Sequence, residues 1–228
     1  MAILGLKTVK RDDWKEAGKY LAQSILAKLE KKKKVLWLVA GGSSIPAAVV
    51  ASKIIARHPH RNLAVTLTDE RFGPKGHADS NWAKLLSRGF ALPEAKIFFI
   101  LTDKNMEATV EKFRKFLEEK FEWADWKVGI FGVGEDGHTA GILPESPAVS
   151  FPRLAFGYYT EKFNRITMTA KAIGMLDEAI VFAQGEKKRR PLRKLEEEIS
   201  VAKMPAQALK KARKLTIFTD LEARHDRK

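Results

Sequence analysis

The sequence predicts an α/β protein: a Rossmann-like, open and mainly parallel sheet with helices on both faces, formed by residues 1–228 as one domain. Three observations carry this expectation. Strand-length apolar runs alternate with helical patterns from residue 12 to residue 134, and repeated strand–helix–strand units imply a parallel sheet covered on both sides. The run "VLWLVA" is continuously apolar and ends in Gly-Gly, as a strand buried on both faces does. A chain of 228 residues, 45% apolar and 31% charged, can bury a full core, and no repeat, low-complexity linker or convincing domain boundary interrupts it.

Along the chain, residues 12–34 place Trp14, Ala17, Tyr20, Leu21, Ser24, Ile25 and Leu29 at helical spacing behind an aspartate cap. The strand "VLWLVA" (35–40) follows, then a helix in "AAVVASKIIAR", a strand in "LAVTLTD" and a helix in "DSNWAKLLSRGF". A strand in "KIFFILT", a helix in "MEATVEKFRKFLEEKF" and a strand in "WKVGIFGVG" complete the alternation. Beyond Pro144 the character changes. "LAFGYYT", "NRITMTAKAI" and "EAIVFAQG" are closely spaced strand-like runs, followed by a helix in "RRPLRKLEEEI" and a last strand, "KLTIFTD".

Composition excludes several classes of function. With no cysteine there are no disulfides, thiolate metal sites or cysteine nucleophile. No stretch approaches the roughly 18–20 uncharged apolar residues of a membrane span, and "MAILGLKTVKRDDWKE" turns polar too soon for a signal peptide, so the expected setting is the cytoplasm. The 42 Lys/Arg against 28 Asp/Glu give +14, and residues 187–228 hold fourteen basic and six acidic side chains. A basic surface attracts anions in general, phosphorylated metabolites as much as RNA. No aromatic-and-basic sheet motif or zinc knuckle accompanies it, so nucleic acid is not the expected partner.

In open parallel sheets ligands bind beyond the carboxyl ends of the strands, and three strand-to-helix junctions stand out. In "AGGSSIPAA" (40–48), Gly41 and Gly42 allow a tight turn, the hydroxyls of Ser43 and Ser44 follow, and a helix N-terminus offers N–H groups to an anion. This phosphate cradle is neither a Walker loop nor a dinucleotide fingerprint. In "TDERFGPKGHADSN" (68–81), Asp69, Glu70 and Arg71 emerge at the carboxyl edge, where a core role is not expected. Arg71 can fork onto a phosphate or oxyanion, Asp69 can hold a hydroxyl or orient another group, and His77 caps or lines the site. In "FGVGEDGHTAGILP" (131–144), Gly132 and Gly134 bring backbone close to a ligand. His138 then stands at the rim as the group suited to accept and return a proton near pH 7. Asp136, two residues earlier, can fix its imidazole or contact substrate. With no cysteine and no helical pair of histidines, no metal or cofactor is expected.

These three motifs, in this order and separation, resemble the glucosamine-6-phosphate isomerase/6-phosphogluconolactonase family, and within it the lactonases. The likeness continues through "RITMT" (165–169), "GEKK" (185–188), which is similar to the family's Gly-x-x-Lys, and "MPAQAL" before the last strand. Two places depart from the pattern: Ile45 stands between the hydroxyls and Pro46, and "AGILP" replaces the commoner "ASLFP". The resemblance implies hydrolysis of 6-phospho-D-glucono-1,5-lactone by a His138 general base, with Asp136 and Asp69 as supporting acids and no metal. It also implies a phosphate held by Gly41–Ser44, with Arg71, Arg165 and Lys188 sharing phosphate and sugar in an order the residues leave open. The expected partner is a small sugar phosphate, and the expected state a monomer or weak homo-oligomer. The family's deaminases carry a glutamate five residues after the histidine, where this chain has Leu143. That reading, and a catalytically silent binder of sugar phosphate or nucleic acid, are the alternatives.

Overall fold

A computed structural model describes residues 3–8 and 13–221. In chain order the elements are β1 (Ile3–Thr8), α1 (Trp14–Leu29), β2 (Val35–Val39), α2 (Ile45–Ile55), β3 (Leu63–Leu67) and β4 (Asp69–Arg71). Next come α3 (Asn81–Ser87), β5 (Lys96–Ile97), α4 (Met106–Trp123), β6 (Trp126–Phe131), β7 (Ala155–Tyr158) and β8 (Arg165–Met168). The chain closes with α5 (Ala170–Gly174), β9 (Glu178–Phe182), α6 (Arg189–Glu196) and β10 (Lys214–Thr219), with short 3-10 turns between some elements.

Seven strands form one sheet in the order β1-β10-β9-β6-β2-β3-β5, and every pair in it is parallel. Its middle strands are buried throughout: all five residues of β2, of β3 and of β9. Continuous apolar runs are what two helix-covered faces require. Trp37, Leu36 and Leu38 of β2 lie fully buried with Phe131, Ile130 and Val128 of β6 in a single core. At the amino edge the buried Glu178 carboxylate accepts from the Tyr20 hydroxyl at 2.8 Å and from Ser24, with the Lys214 ammonium 3.2 Å away. This ties α1 to β9 and β10.

The sequence did not predict the second sheet. After Leu67 the chain leaves the parallel sheet, and β4 pairs antiparallel with β8, which pairs with β7. The "LAVTLTD" run is therefore two strands in two sheets, and Asp69–Arg71 lie in a strand of the smaller one. Other boundaries also move. The strand expected over 96–102 is reduced to Lys96–Ile97: it is the sheet edge, and its phenylalanines leave to pack on helices, Phe98 on Phe116 (4.1 Å between centroids) and Phe99 on Trp82 (4.9 Å). The run expected to remain extended through 173 stops at Met168, because the Thr169 hydroxyl caps α5 by accepting from the Ala172 N–H. The helix expected to reach 199 stops at Glu196, where the Gln207 amide donates to the carbonyls of Lys194 (2.8 Å) and Glu197 (3.0 Å). Asp13 occupies the cap position of α1, but its side chain makes no capping bond, and Asp12 lies outside the described residues. Among the described residues no helix is long and apolar enough to cross a membrane.

Helices α1 and α2 approach closely at Gly18, where an added Cβ would sit 2.6 Å from the Ala47 carbonyl oxygen and 2.7 Å from Val50 Cβ. Replacing a helical glycine by alanine ordinarily gains about 1 kcal/mol, whereas overpacking costs about 1–3 kcal/mol. The Ala47 obstruction is backbone and cannot rotate away, so the clash wins. Gly18→Ala is expected to lose about 1 kcal/mol net, read as a lower guanidinium chloride midpoint with an unchanged slope; a midpoint at or above wild type would show that the two helices part without cost.

Candidate active site

The three junctions meet at the carboxyl edge because their strands are neighbours. Strand β2 lies between β3 and β6, with Val39 opposite both Leu67 and Ile130. A cleft of about 320 Å³ opens above them, lined by Gly41, Gly42 and Ser43 from the first junction, Asp69, Arg71 and Asn81 from the second, and Gly132, Gly134 and His138 from the third. The β7–β8 hairpin adds Lys162, Phe163 and Arg165, and the turn before α6 adds Lys188.

In the first junction Gly42 adopts φ +67°, and a Cβ on Gly41 would fall 2.1 Å from the Asn81 amide oxygen. Glycine at position 41 is thus what lets the loop touch the second junction. Ser43 is exposed toward the cleft. Ser44 is not: it is buried, and its hydroxyl donates to the carbonyls of Ala40 (3.0 Å) and Gly41 (2.9 Å). Of the four residues expected to cradle an anion, three line the cleft and Ser44 instead shapes the turn. Ile45 begins α2 and is buried in the core, so the extra residue is absorbed as the first helical position, with Pro46 next.

In the second junction Glu70 corrects the expectation against a core role. It is fully buried, and its carboxylate accepts from the backbone N–H groups of Arg71 (2.8 Å), Asn81 (2.6 Å) and Trp82 (3.0 Å) and from the Ser80 hydroxyl (2.9 Å). Burial still outweighs those donors and lifts its pKa above the usual carboxylate range. Asn81, 1% exposed, donates to the Asp69 carbonyl at 3.0 Å and accepts from the Arg71 guanidinium, which also donates to the Asp79 carbonyl at 3.1 Å. His77 does not line the cleft; its Nε2 is 2.9 Å from the Arg71 carbonyl oxygen, so it braces the loop. The buried Asp69 carboxylate accepts from the Thr68 hydroxyl at 2.8 Å.

In the third junction the His138 Nδ1 lies 2.6 Å from an Asp136 carboxylate oxygen, which also accepts the His138 backbone N–H at 3.1 Å. A Cβ on Gly134 would fall 2.1 Å from that same Nδ1, so only glycine there lets the ring lie against the turn. Asp136 is bonded to the histidine and is not on the cleft wall. In the tautomer that carries its proton on Nδ1, the imidazole donates to this carboxylate and keeps its lone pair on Nε2. Partial burial raises the Asp136 pKa, but the backbone N–H and imidazole of His138 outweigh it and hold the carboxyl below its ordinary value.

The cleft's charge is one-sided. Arg71, Arg165, Lys162 and Lys188 face it with the Asp69 carboxylate, and none of the four cations is ion-paired to a carboxylate among the described residues. No local pattern in the sequence marks the side chains of Lys162, Phe163 and Asn81 as cleft residues. They lie in a hairpin turn and at a helix start, and only the tertiary fold brings them to the cleft.

A family model described as glucosamine-6-phosphate isomerases/6-phosphogluconolactonase matches residues 10–218, a span that contains every residue of the cleft. The chain belongs to that family. Relatives in it include the 6-phosphogluconolactonase of Chlamydia pneumoniae, 27% identical over 133 residues that make 53% of this chain and 48% of that one. The 6-phosphogluconolactonase of Homo sapiens is 28% identical over 149 residues, 60% of this chain and 57% of that one. The chain thus spans roughly half the length of these two relatives. A crystal structure of a 6-phosphogluconolactonase from Shewanella baltica OS155 superposes with a TM-score of 0.76 over 96% of this chain and 97% of that one, at 22% identity, which shows the shared family fold.

The His138–Asp136 contact has a measurable signature. The Asp136 carboxyl should titrate below the ordinary aspartate range, and in His138→Ala its midpoint should rise, because the charge and side-chain bond are lost while the backbone N–H remains. The sign for stability follows: a depressed acid stabilises the fold above its unfolded pKa, and the effect fades as pH falls through the folded value. Carbon-detected NMR of the Asp136 carboxyl checks this, and an unchanged midpoint in the variant would show that the imidazole does not hold it.

Proposed function

We propose that this chain hydrolyses 6-phospho-D-glucono-1,5-lactone to 6-phospho-D-gluconate, a step of oxidative sugar-phosphate metabolism, without a metal. The observation that carries the reading is the His138–Asp136 pair at 2.6 Å, set at the rim of a cleft lined by four cations. His138 Nε2 takes a proton from water as its oxygen bonds to C1. Asp136 holds the Nδ1 proton and steadies the imidazolium that forms. The bond from C1 to the ring oxygen then breaks, and that oxygen receives the proton from His138, so the base is restored for the next turnover. Asp69 is positioned to accept a sugar hydroxyl, while Gly41–Ser43, Arg71, Arg165 and Lys188 hold the substrate and its phosphate.

The names carried by the relatives support the same reaction. Within the family, Leu143 argues for the lactonase over the deaminase: it packs half-buried against the core, its N–H donates to the Tyr158 hydroxyl at 3.3 Å, and its side chain has no proton to move.

With excess chelator present, the wild-type chain is expected to hydrolyse freshly generated 6-phosphogluconolactone well above the spontaneous rate, and His138→Ala to turn over at least about 100-fold more slowly. Near wild-type turnover in the variant would remove the general-base role. Loss of wild-type activity on chelation, restored by a divalent ion, would remove the metal-free route.

A further inference from the structure

Three cations meet at one aromatic ring. Arg71 and Arg165 are directly opposite in the antiparallel β4–β8 register, an arrangement in which like charges repel. Their guanidinium carbons lie 5.4 Å and 5.7 Å from the centroid of Phe163, and the Lys162 ammonium lies 5.5 Å from it. The Nε atoms of Arg71 and Arg165 are buried without a hydrogen-bond partner among the described residues. The ring lines the cleft and, unlike Phe72 and Phe156, it does not join the hydrophobic core. The hairpin turn that carries it is stiffened locally: the Phe163 N–H donates to the Thr160 hydroxyl at 3.0 Å, and the Phe72 N–H donates to the Asn164 carbonyl at 2.8 Å.

An aromatic face attracts a cation within about 6 Å of its centroid, so a single ring partly offsets the repulsion and keeps the charged groups close. Three positive charges held at one place, with buried N–H donors unmatched, complement a doubly charged anion with several acceptor oxygens. Taking the sugar-phosphate reading above as given for the substrate, we infer that Phe163 is the positioning residue of a phosphate clamp made of Arg71, Arg165 and Lys162, and that this hairpin sets the preference for phosphorylated ligands. Phe163 touches the cations rather than the reacting atoms. Its removal therefore acts on binding and leaves His138 and Asp136 in place.

Inorganic phosphate is the probe, titrated calorimetrically into wild type, Phe163→Ala, Phe163→Tyr and Lys162→Ala, with kcat and KM for 6-phosphogluconolactone measured in parallel. Loss of the ring should weaken phosphate about tenfold and raise KM by a similar factor while kcat falls less than about threefold. Phe163→Tyr, which keeps an aromatic face, should return both to within about twofold of wild type, and Lys162→Ala should weaken phosphate about fivefold. Phosphate affinity unchanged in Phe163→Ala, no rescue by tyrosine, or no phosphate binding by wild type would overturn the clamp. A protein that hydrolyses no lactone but shows the same phosphate series would keep the clamp and remove the lactonase reading.

Discussion

Everything at the cleft depends on the register of β2 between β3 and β6. With Val39 opposite Leu67 on one side and Ile130 on the other, the three strands end at one level. The ladder runs to the last residue: the Ala40 N–H donates to the Ile130 carbonyl at 3.1 Å and the Thr68 N–H to the Val39 carbonyl at 2.9 Å. Each chain then leaves the sheet beside the others, so the glycine loop, the Asp69–Arg71 segment and the His138 turn face one space. A one-residue slip in any of the three would exchange the faces of its side chains and move the end of that strand, with the loop that follows it, by about 3.3 Å along the sheet.

A polar frame converts that edge into a site. Glu70 is buried under four donors, three of them backbone N–H groups on both sides of the "DSN" turn, and this closes the loop from Arg71 back to α3. Asn81 then joins the frame to the first junction by lying against Gly41 and accepting from Arg71. A buried carboxylate is costly unless its acceptors are filled, and here the filled acceptors fix the positions of two cleft residues. By contrast, the four cations lining the cleft form no ion pair with a carboxylate among the described residues. Under the proposed reading stability and function pull apart there: the like charges repel one another and a phosphorylated substrate would offset that repulsion, the general pattern of a site held at some expense to the fold.

Much of this was legible in the chain itself, for reasons that differ from residue to residue. The central strands show as continuous apolar runs because two-sided burial leaves no polar position, and the junction residues show because glycine, hydroxyl and histidine are out of place at the end of a buried strand. Ser43 and Ser44 look alike in sequence, and only the fold turns one hydroxyl outward and the other back to the carbonyls of Ala40 and Gly41. Glu70 was misread because its neighbours Asp69 and Arg71 line the cleft, while strand alternation sends its own side chain to the other face. Sheet β4-β8-β7 was missed since pairing between residues about a hundred positions apart, such as Arg71 with Arg165, leaves no local pattern. Lys162 and Phe163 were invisible for the same reason: in sequence they are an ordinary turn, and in space they are the far wall of the cleft.

The claim that ties these features together is the proposal that the cation-lined cleft binds a phosphorylated sugar ring while His138, oriented by Asp136, acts on its lactone. The most direct test is the ratio of kcat/KM for freshly generated 6-phosphogluconolactone to that for unphosphorylated gluconolactone in the wild-type protein. Charge-assisted contacts are worth about 1.5–3 kcal/mol each, so two of them predict a preference of at least about 100-fold. Equal use of the two lactones would contradict the account.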